Sequence, residues 1–296
     1  MRAILLLLAL AAPACGRGTA PPPSTSSNQA VSLTERALTA ATPLLAHVPM
    51  GADVVLEADI RRLRENPVVS PLISALATRG DVRVPGGLTF NPVRDADVLV
   101  VAAYQVGSLG ARAMFLLGGE RMDAGAVAAA EVDATAVGRH EVVFGPEPLR
   151  QEVFARVQGE GRGSTMADDQ EFLRIRDLAM PARAEGASVR LTARLSKEAR
   201  IATAGQLGID EAPRDISAWV DVADDLAAVA LLASDDSVGA DRAVTMVLGA
   251  RDSWSKRFPP LARLSAERKG RGVRVAWVLP PRRFSALASA LAKELR

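Results

Sequence analysis

The chain has 296 residues, of which 49% are hydrophobic and 24% charged, a composition that supports a sizeable buried core and excludes a chain disordered throughout. Lys and Arg total 36 against 34 acids, so the formal net charge is only +2; the pI near 9.0 reflects near-cancellation rather than a concentrated positive field, which speaks against a nucleic-acid partner. The cysteine Cys15 and the histidines His47 and His140 exclude an internal disulfide or thiolate metal cluster and leave little for a histidine-rich site, so no catalytic, cofactor or metal residues are assigned.

At the start, Arg2 and the nine apolar residues Ile4 to Ala12 have the basic and hydrophobic regions of a secretion signal over residues 1–14. A membrane-spanning helix needs roughly 20 apolar residues, so this segment reads as an address and not an anchor. The residues Ala12-Pro13-Ala14-Cys15 resemble the lipobox of bacterial lipoproteins, with Ala12 where that motif favours Leu. The resemblance implies cleavage before Cys15 and acylation of Cys15 as the new N-terminus. The same tripeptide also fits the A-x-A pattern of an ordinary secretory cleavage site, which leaves the thiol bare. Gly16 after the cysteine resembles the pattern for export to the outer membrane. The expectation is an exported cell-envelope protein, an outer-membrane lipoprotein facing the periplasm or cell surface, held to the membrane by its N-terminal lipid. Residues 15–31 form the lipidated terminus and a flexible linker, because Gly16 to Gln29, with three consecutive prolines and several serines, buries too little apolar surface to order itself. Fully extended, that stretch reaches at most about 50 Å.

Ser32-Leu33-Thr34-Glu35 has capping-box spacing, which predicts a helix from Ser32 to Thr42 ended by Pro43. A strand over Val54 to Ile60 and a helix over Pro67 to Thr78 follow. Next come strands over Asp97 to Tyr104 and Ala111 to Leu117, a helix over Asp123 to Ala130, a hairpin of Ala134 to Val137 with Glu141 to Phe144, and a helix over Glu147 to Val157. A helix over Asp169 to Ala179 precedes the second half. That half begins with a strand over Ser188 to Leu195 and a helix over Lys197 to Leu207, capped by Ser196 and stopped by Gly208. A hairpin of Ala218 to Val222 with Ala227 to Ala233 leads to a helix over Val238 to Phe258. A hairpin of Arg263 to Glu267 with Val273 to Leu279 leads to a last helix with Phe284, Leu287, Leu291 and Leu295 in one stripe.

Both halves therefore read strand-helix, hairpin-helix, hairpin-helix. The fold class expected is α+β, with mainly antiparallel sheets, helices on one face, and two similar, duplicated units. The units cover 32–158 and 187–296, joined by a connecting segment at 159–186. Each unit is expected to bury its own sheet face.

Several stretches invite a chemical reading. Gly159 to Thr165, GEGRGST, has the glycines of a phosphate cradle but lacks the lysine of a P-loop, and reads as an inter-domain hinge. Val106 to Gly110, VGSLG, lacks the G-x-S-x-G spacing of a nucleophile elbow. His47 and His140 read as structural. The acidic pairs Asp168-Asp169, Asp224-Asp225 and Asp235-Asp236 suit helix starts and a turn better than a calcium site. The basic residues Arg263, Arg268, Lys269, Arg271, Arg274, Arg282 and Arg283 suit solvated tips, or else contact with anionic lipid headgroups. Trp219, Trp254 and Trp277 are expected in the core.

Together these readings predict a lipid-anchored envelope protein with a non-catalytic binding or scaffolding role, with an envelope protein or anionic headgroups as partners. Two other classes remain open: an envelope hydrolase built on carboxylates converging in one cleft, and a small-molecule or lipid carrier with an apolar cavity between sheet and helices.

Overall fold

The computed structural model describes residues 41–78, 91–130, 133–161, 163–179, 187–207, 212–223, 225–256 and 259–294. The secretion signal, Cys15, the linker, nearly all of the helix expected over Ser32 to Thr42, Gly208 and Asp224 lie outside the described residues. The described chain enters through a 3-10 helix, Thr42–His47, with Pro43 in its first turn.

The strands are β1 (Val54–Asp59), β2 (Val98–Tyr104), β3 (Arg112–Gly118), β4 (Ala134–Ala136), β5 (Glu141–Phe144), β6 (Val189–Arg194), β7 (Asp215–Val222), β8 (Leu226–Ala233), β9 (Ser265–Lys269) and β10 (Gly272–Leu279). The helices are α1 (Ile60–Glu65), α2 (Ser70–Thr78), α3 (Pro92–Asp95), α4 (Ala124–Ala130), α5 (Glu147–Val157), α6 (Gln170–Asp177), α7 (Lys197–Leu207), α8 (Ser237–Trp254) and α9 (Pro281–Glu294). Of these, α1 and α3 have no counterpart in the sequence reading. The start of α1 is local chemistry: the Asp59 side chain accepts a hydrogen bond from the Arg62 amide at 2.8 Å, ending β1 and capping a helix at once.

Among the described residues all ten strands form one sheet, in the order β4-β5-β3-β2-β1-β6-β7-β8-β10-β9, and every pairing is antiparallel. The fold is α+β with a large antiparallel sheet. The expectation that each half buries a sheet of its own is corrected here: β1 pairs with β6, Glu57 opposite Arg190 and Leu56 opposite Leu191, so neither half keeps an inner edge. Counted outward from this seam, both halves follow one strand order, β1-β2-β3-β5-β4 and β6-β7-β8-β10-β9.

Helices on one face is also corrected. The front of the sheet, bearing Val55, Val100, Ala102, Met114, Leu116 and Val143, packs against Leu44 and Leu45 of the 3-10 helix, Leu149 and Val153 of α5, and Phe172 of α6. The back, bearing Leu117, Val142 and Phe144, packs against Ala124 and Val127 of α4. Farther along the back, Val220, Val273, Val275 and Trp277 pack against Val247 of α8, Phe284 of α9 and Ile73 of α2. The physical reason lies in β2 and β3, which are apolar on successive residues and not on alternate ones, so each offers hydrophobic side chains to both faces and recruits cover on both. The halves also differ in cover. Helix α5 lies on the front, whereas α9, after the corresponding hairpin, packs with α2 in the back cluster.

Candidate functional site

The two faces of the sheet differ most at the β1–β6 seam. On the front, Glu57 is 1% exposed and receives both Nε and Nη2 of Arg176 on α6, at 2.8 and 2.9 Å. The Thr42 hydroxyl donates to Glu57 at 2.9 Å and accepts from Arg176 Nη2 at 2.7 Å, tying the chain's entry to the same carboxylate. Arg190, 2% exposed, donates to the Arg176 carbonyl at 2.8 Å and lies 3.5 Å from Asp177. Ser217 donates to that carbonyl too, at 2.9 Å, and Trp219 Nε1 donates to the Ala179 carbonyl at 2.6 Å. Carbonyls at the end of α6, which the helix itself leaves without partners, are thus satisfied by the sheet. Burial, with the Arg176 charge beside it, pushes the Arg190 guanidinium down to about 10, so it stays charged at neutral pH. At the other end of α6, Asp169 accepts from the Phe172 amide at 2.9 Å and from Arg194 at 3.0 Å.

The back of the same strands carries no polar side chain. One row across the sheet reads Phe115, Val101, Leu56, Leu191, Ala218, Ala230 and Val275; the rows on either side continue with Val54, Ala193 and Ile216, and with Leu99, Ala58, Val189 and Val220. This apolar floor is nevertheless the less covered face. On the back Leu56, Leu191, Val54, Ile216 and Phe115 are half-buried and Val101, Ala58, Ala193 and Ala218 are buried, while Glu57, Arg190, Thr192 and Ser217 on the front are all buried. The helices stand around the floor. Ala199 of α7 packs on Val54 and Ile216 at one end, α4 covers the outer strands of the first half, and α2, α8 and α9 cover β8 and β10. Leu56, Val101, Leu191 and Ala218, in the middle, belong to none of these clusters.

This distribution runs against folding energetics alone. Taking an ion pair out of water costs free energy that its attraction often fails to recover, and a fully buried Leu gains about 1.5–3 kcal/mol that a half-exposed one forgoes in part. A sheet selected only for stability would cover Leu56 and Leu191 and leave Glu57 and Arg190 wet.

The residues singled out in the sequence occupy local structural roles. Ser108 lies in the β2–β3 turn, its hydroxyl donating to the Gln105 carbonyl at 2.9 Å and accepting from the Gly110 amide at 3.1 Å. Gly107 has φ +83°, and a Cβ there would come within 2.9 Å of Ala202 on α7, so the turn's approach to that helix requires glycine. His47 Nε2 is 4.0 Å from Glu141, and His140 Nδ1 pairs with the Met122 carbonyl at 3.0 Å. The Thr165 amide and hydroxyl both donate to Asp168 at 2.8 Å and hold its carboxyl below the usual carboxylate range. Asp236 caps α8 through the Gly239 amide at 2.7 Å, and Asp235 pairs with Arg200 at 2.7 Å. The Asp225 carbonyl accepts from the Ala223 amide in the β7–β8 turn.

The GEGRGST segment is fastened rather than a free hinge. Gly161 donates to the Ala155 carbonyl, Arg156 to that of Gly163, and Thr165 bridges to Pro49. Arg268 pairs with Asp241, and Lys269 and Arg274 lie near Glu267; Arg263, Arg271, Arg282 and Arg283 are exposed. Trp219 and Trp277 are buried as expected, Trp277 donating to the Pro260 carbonyl, whereas Trp254 is 48% exposed, because it ends α8 about two turns beyond Val247, which packs on the sheet. Among the described residues no group of three or more His, Cys, Asp or Glu could hold a metal ion, and no helix is long and apolar enough to cross a membrane.

No protein-family model and no curated protein matches the sequence. Among solved structures the chain is similar to TP0453, in the structure of its crystal form I, at 10% sequence identity and a TM-score of 0.41, over 83% of this chain and 96% of that one.

Proposed function

We propose that this is a bacterial lipoprotein, exported and acylated at Cys15, whose body serves the cell envelope, at the outer membrane, as a non-catalytic binding module. The residues from Arg2 to Cys15 support the anchor, and Gly16 supports the outer membrane. The observation that carries the binding role is the half-burial of Leu56 and Leu191 on the apolar back of β1 and β6, set against a front face that buries Glu57 and Arg190. This favours the carrier class over a hydrolase, since Asp168, Asp169, Asp235 and Asp236 serve caps, turns and ion pairs. The shared outward strand order further supports reading the two halves as a duplicated unit.

Cys15→Ser tests the anchor. The variant is expected to move from the membrane fraction to the soluble fraction of the envelope, because stable attachment needs acyl chains on that residue. Unchanged sedimentation in high salt refutes it.

A further inference from the structure

We infer that the outer edge of β9 takes an extended acidic peptide segment of another protein as an eleventh strand. The site stands at the end of the strand order, and it does not depend on the binding role proposed for the back of β1 and β6. The two-residue turn Gly270-Arg271, with Gly270 at φ +61°, makes Lys269 and Gly272 a hydrogen-bonded pair. By alternation Glu267 with Arg274 and Ser265 with Ala276 are such pairs too, so the amides and carbonyls of Ala266 and Arg268 point away from β10. Among the described residues no other group bonds to them. The register is continuous and the strand contains no proline, so nothing within it blunts the edge. The opposite edge differs. Strand β4 has three residues, and Arg150 donates to the Ala134 carbonyl and the Thr135 hydroxyl at 3.1 Å each.

Charge selects the partner. Residues 263–274 carry Arg263, Arg268, Lys269, Arg271 and Arg274 against the single acid Glu267, in a chain whose whole net charge is +2. Arg268 pairs with Asp241 of α8, and Lys269 and Arg274 share Glu267, but these are exposed pairs that hold little free energy and exchange readily for a new carboxylate. The same charges repel a second copy of this edge, as they do on strand edges generally. An anionic headgroup meets the arginines and the outward amides but leaves the outward carbonyls without donors, whereas a peptide backbone supplies both at the repeat of the strand. Helix α8 already packs beside β9, Ala266 lying in its cluster, so the added strand has a flank to rest on.

The test uses the full chain carrying Cys15→Ser and a short fluorescein-labelled peptide of alternating Glu and Val. A saturable rise in anisotropy is expected, with no competition from a peptide of alternating Lys and Val. Ala266→Pro removes an outward amide and leaves the ladder to β10, so it should weaken binding about ten-fold or more with the urea midpoint close to that of the parent. The acidic peptide methylated at its backbone nitrogens keeps its charge and loses its donors, and should also bind about ten-fold or more weakly; it decides alone if Ala266→Pro lowers the midpoint. Arg271→Glu should weaken binding in the same direction. No saturable binding, or equal binding by the methylated peptide, overturns the inference. So does attachment to phosphatidylglycerol vesicles that Arg271→Glu abolishes and the acidic peptide fails to displace, or a dimer in sedimentation that Ala266→Pro dissociates. None of these outcomes bears on the anchor, which stands or falls with the fractionation of Cys15→Ser alone.

Discussion

Glu57→Ala should lower the free energy of unfolding by about 3–5 kcal/mol, measured by urea denaturation, because it strips a buried arginine of its carboxylate. Arg176 is 4% exposed and its Nε and Nη2 both meet Glu57; with Glu57 gone, Asp177, itself at the edge of the cluster, is 4.0 Å from Arg176. Arg190 loses the same countercharge and keeps Asp177 at 3.5 Å. The Thr42 hydroxyl loses its acceptor, so the 3-10 helix loosens with the seam. Removing both partners should be far milder. Glu57→Leu combined with Arg176→Met replaces the pair by apolar bulk and is expected to recover more than half of the single-variant loss. A loss below about 1 kcal/mol for Glu57→Ala would show that water reaches the cluster, as it does for surface pairs.

Phe172→Ala is expected to be comparably damaging, at about 3–5 kcal/mol, since it empties a large aromatic volume from the front core. Phe172 is 2% exposed and lies in the cluster formed by Leu45, Val55 and Met166. It sits on the first turn of α6, whose cap is Asp169 and whose last turn delivers Arg176 to Glu57. A helix unseated at Phe172 no longer fixes Arg176, so the two sites are coupled. The double variant Phe172→Ala with Glu57→Ala should lose clearly less than the sum of the singles in the same urea experiment. Strict additivity would mean that α6 docks through each contact independently.

Much of the strand framework was legible because hairpins announce themselves through turns and short apolar runs. The β2–β3, β4–β5, β7–β8 and β9–β10 hairpins occur where the pattern placed them, and α5 and α7 have the bounds read from Glu147 to Val157 and Lys197 to Leu207. Helix α1 was not legible, because Ile60-Arg61-Arg62-Leu63-Arg64-Glu65 has too few apolar residues to show a helical period and is held by a cap from the preceding strand. The candidate site was missed for a more instructive reason. In β6, Arg190, Thr192 and Arg194 alternate with Val189, Leu191 and Ala193, and alternation is ordinarily read as a wet polar side and a buried apolar side. The period is right and the burial is reversed. Only a partner 119 residues from Glu57, Arg176 on α6, makes the polar side the inner one, and no local pattern encodes a contact of that range. The signal available was a carboxylate inside the apolar run Val54-Val55-Leu56-Glu57-Ala58, which calls for a buried cation somewhere in the fold.

The reversal itself can be measured directly, because Cys15 is the chain's one cysteine and its replacement by Ser leaves a thiol-free background. In that background a single cysteine is placed by Leu191→Cys, on the half-buried apolar face, or by Thr192→Cys, next to it on a front that leaves Thr192 only 1% exposed. Reaction with a small neutral maleimide is followed under native conditions and in urea. The Leu191→Cys variant should be modified faster in the native state, whereas the Thr192→Cys variant should react only as fast as the protein opens. Equal protection at both positions, or the faster reaction at position 192, would contradict the account.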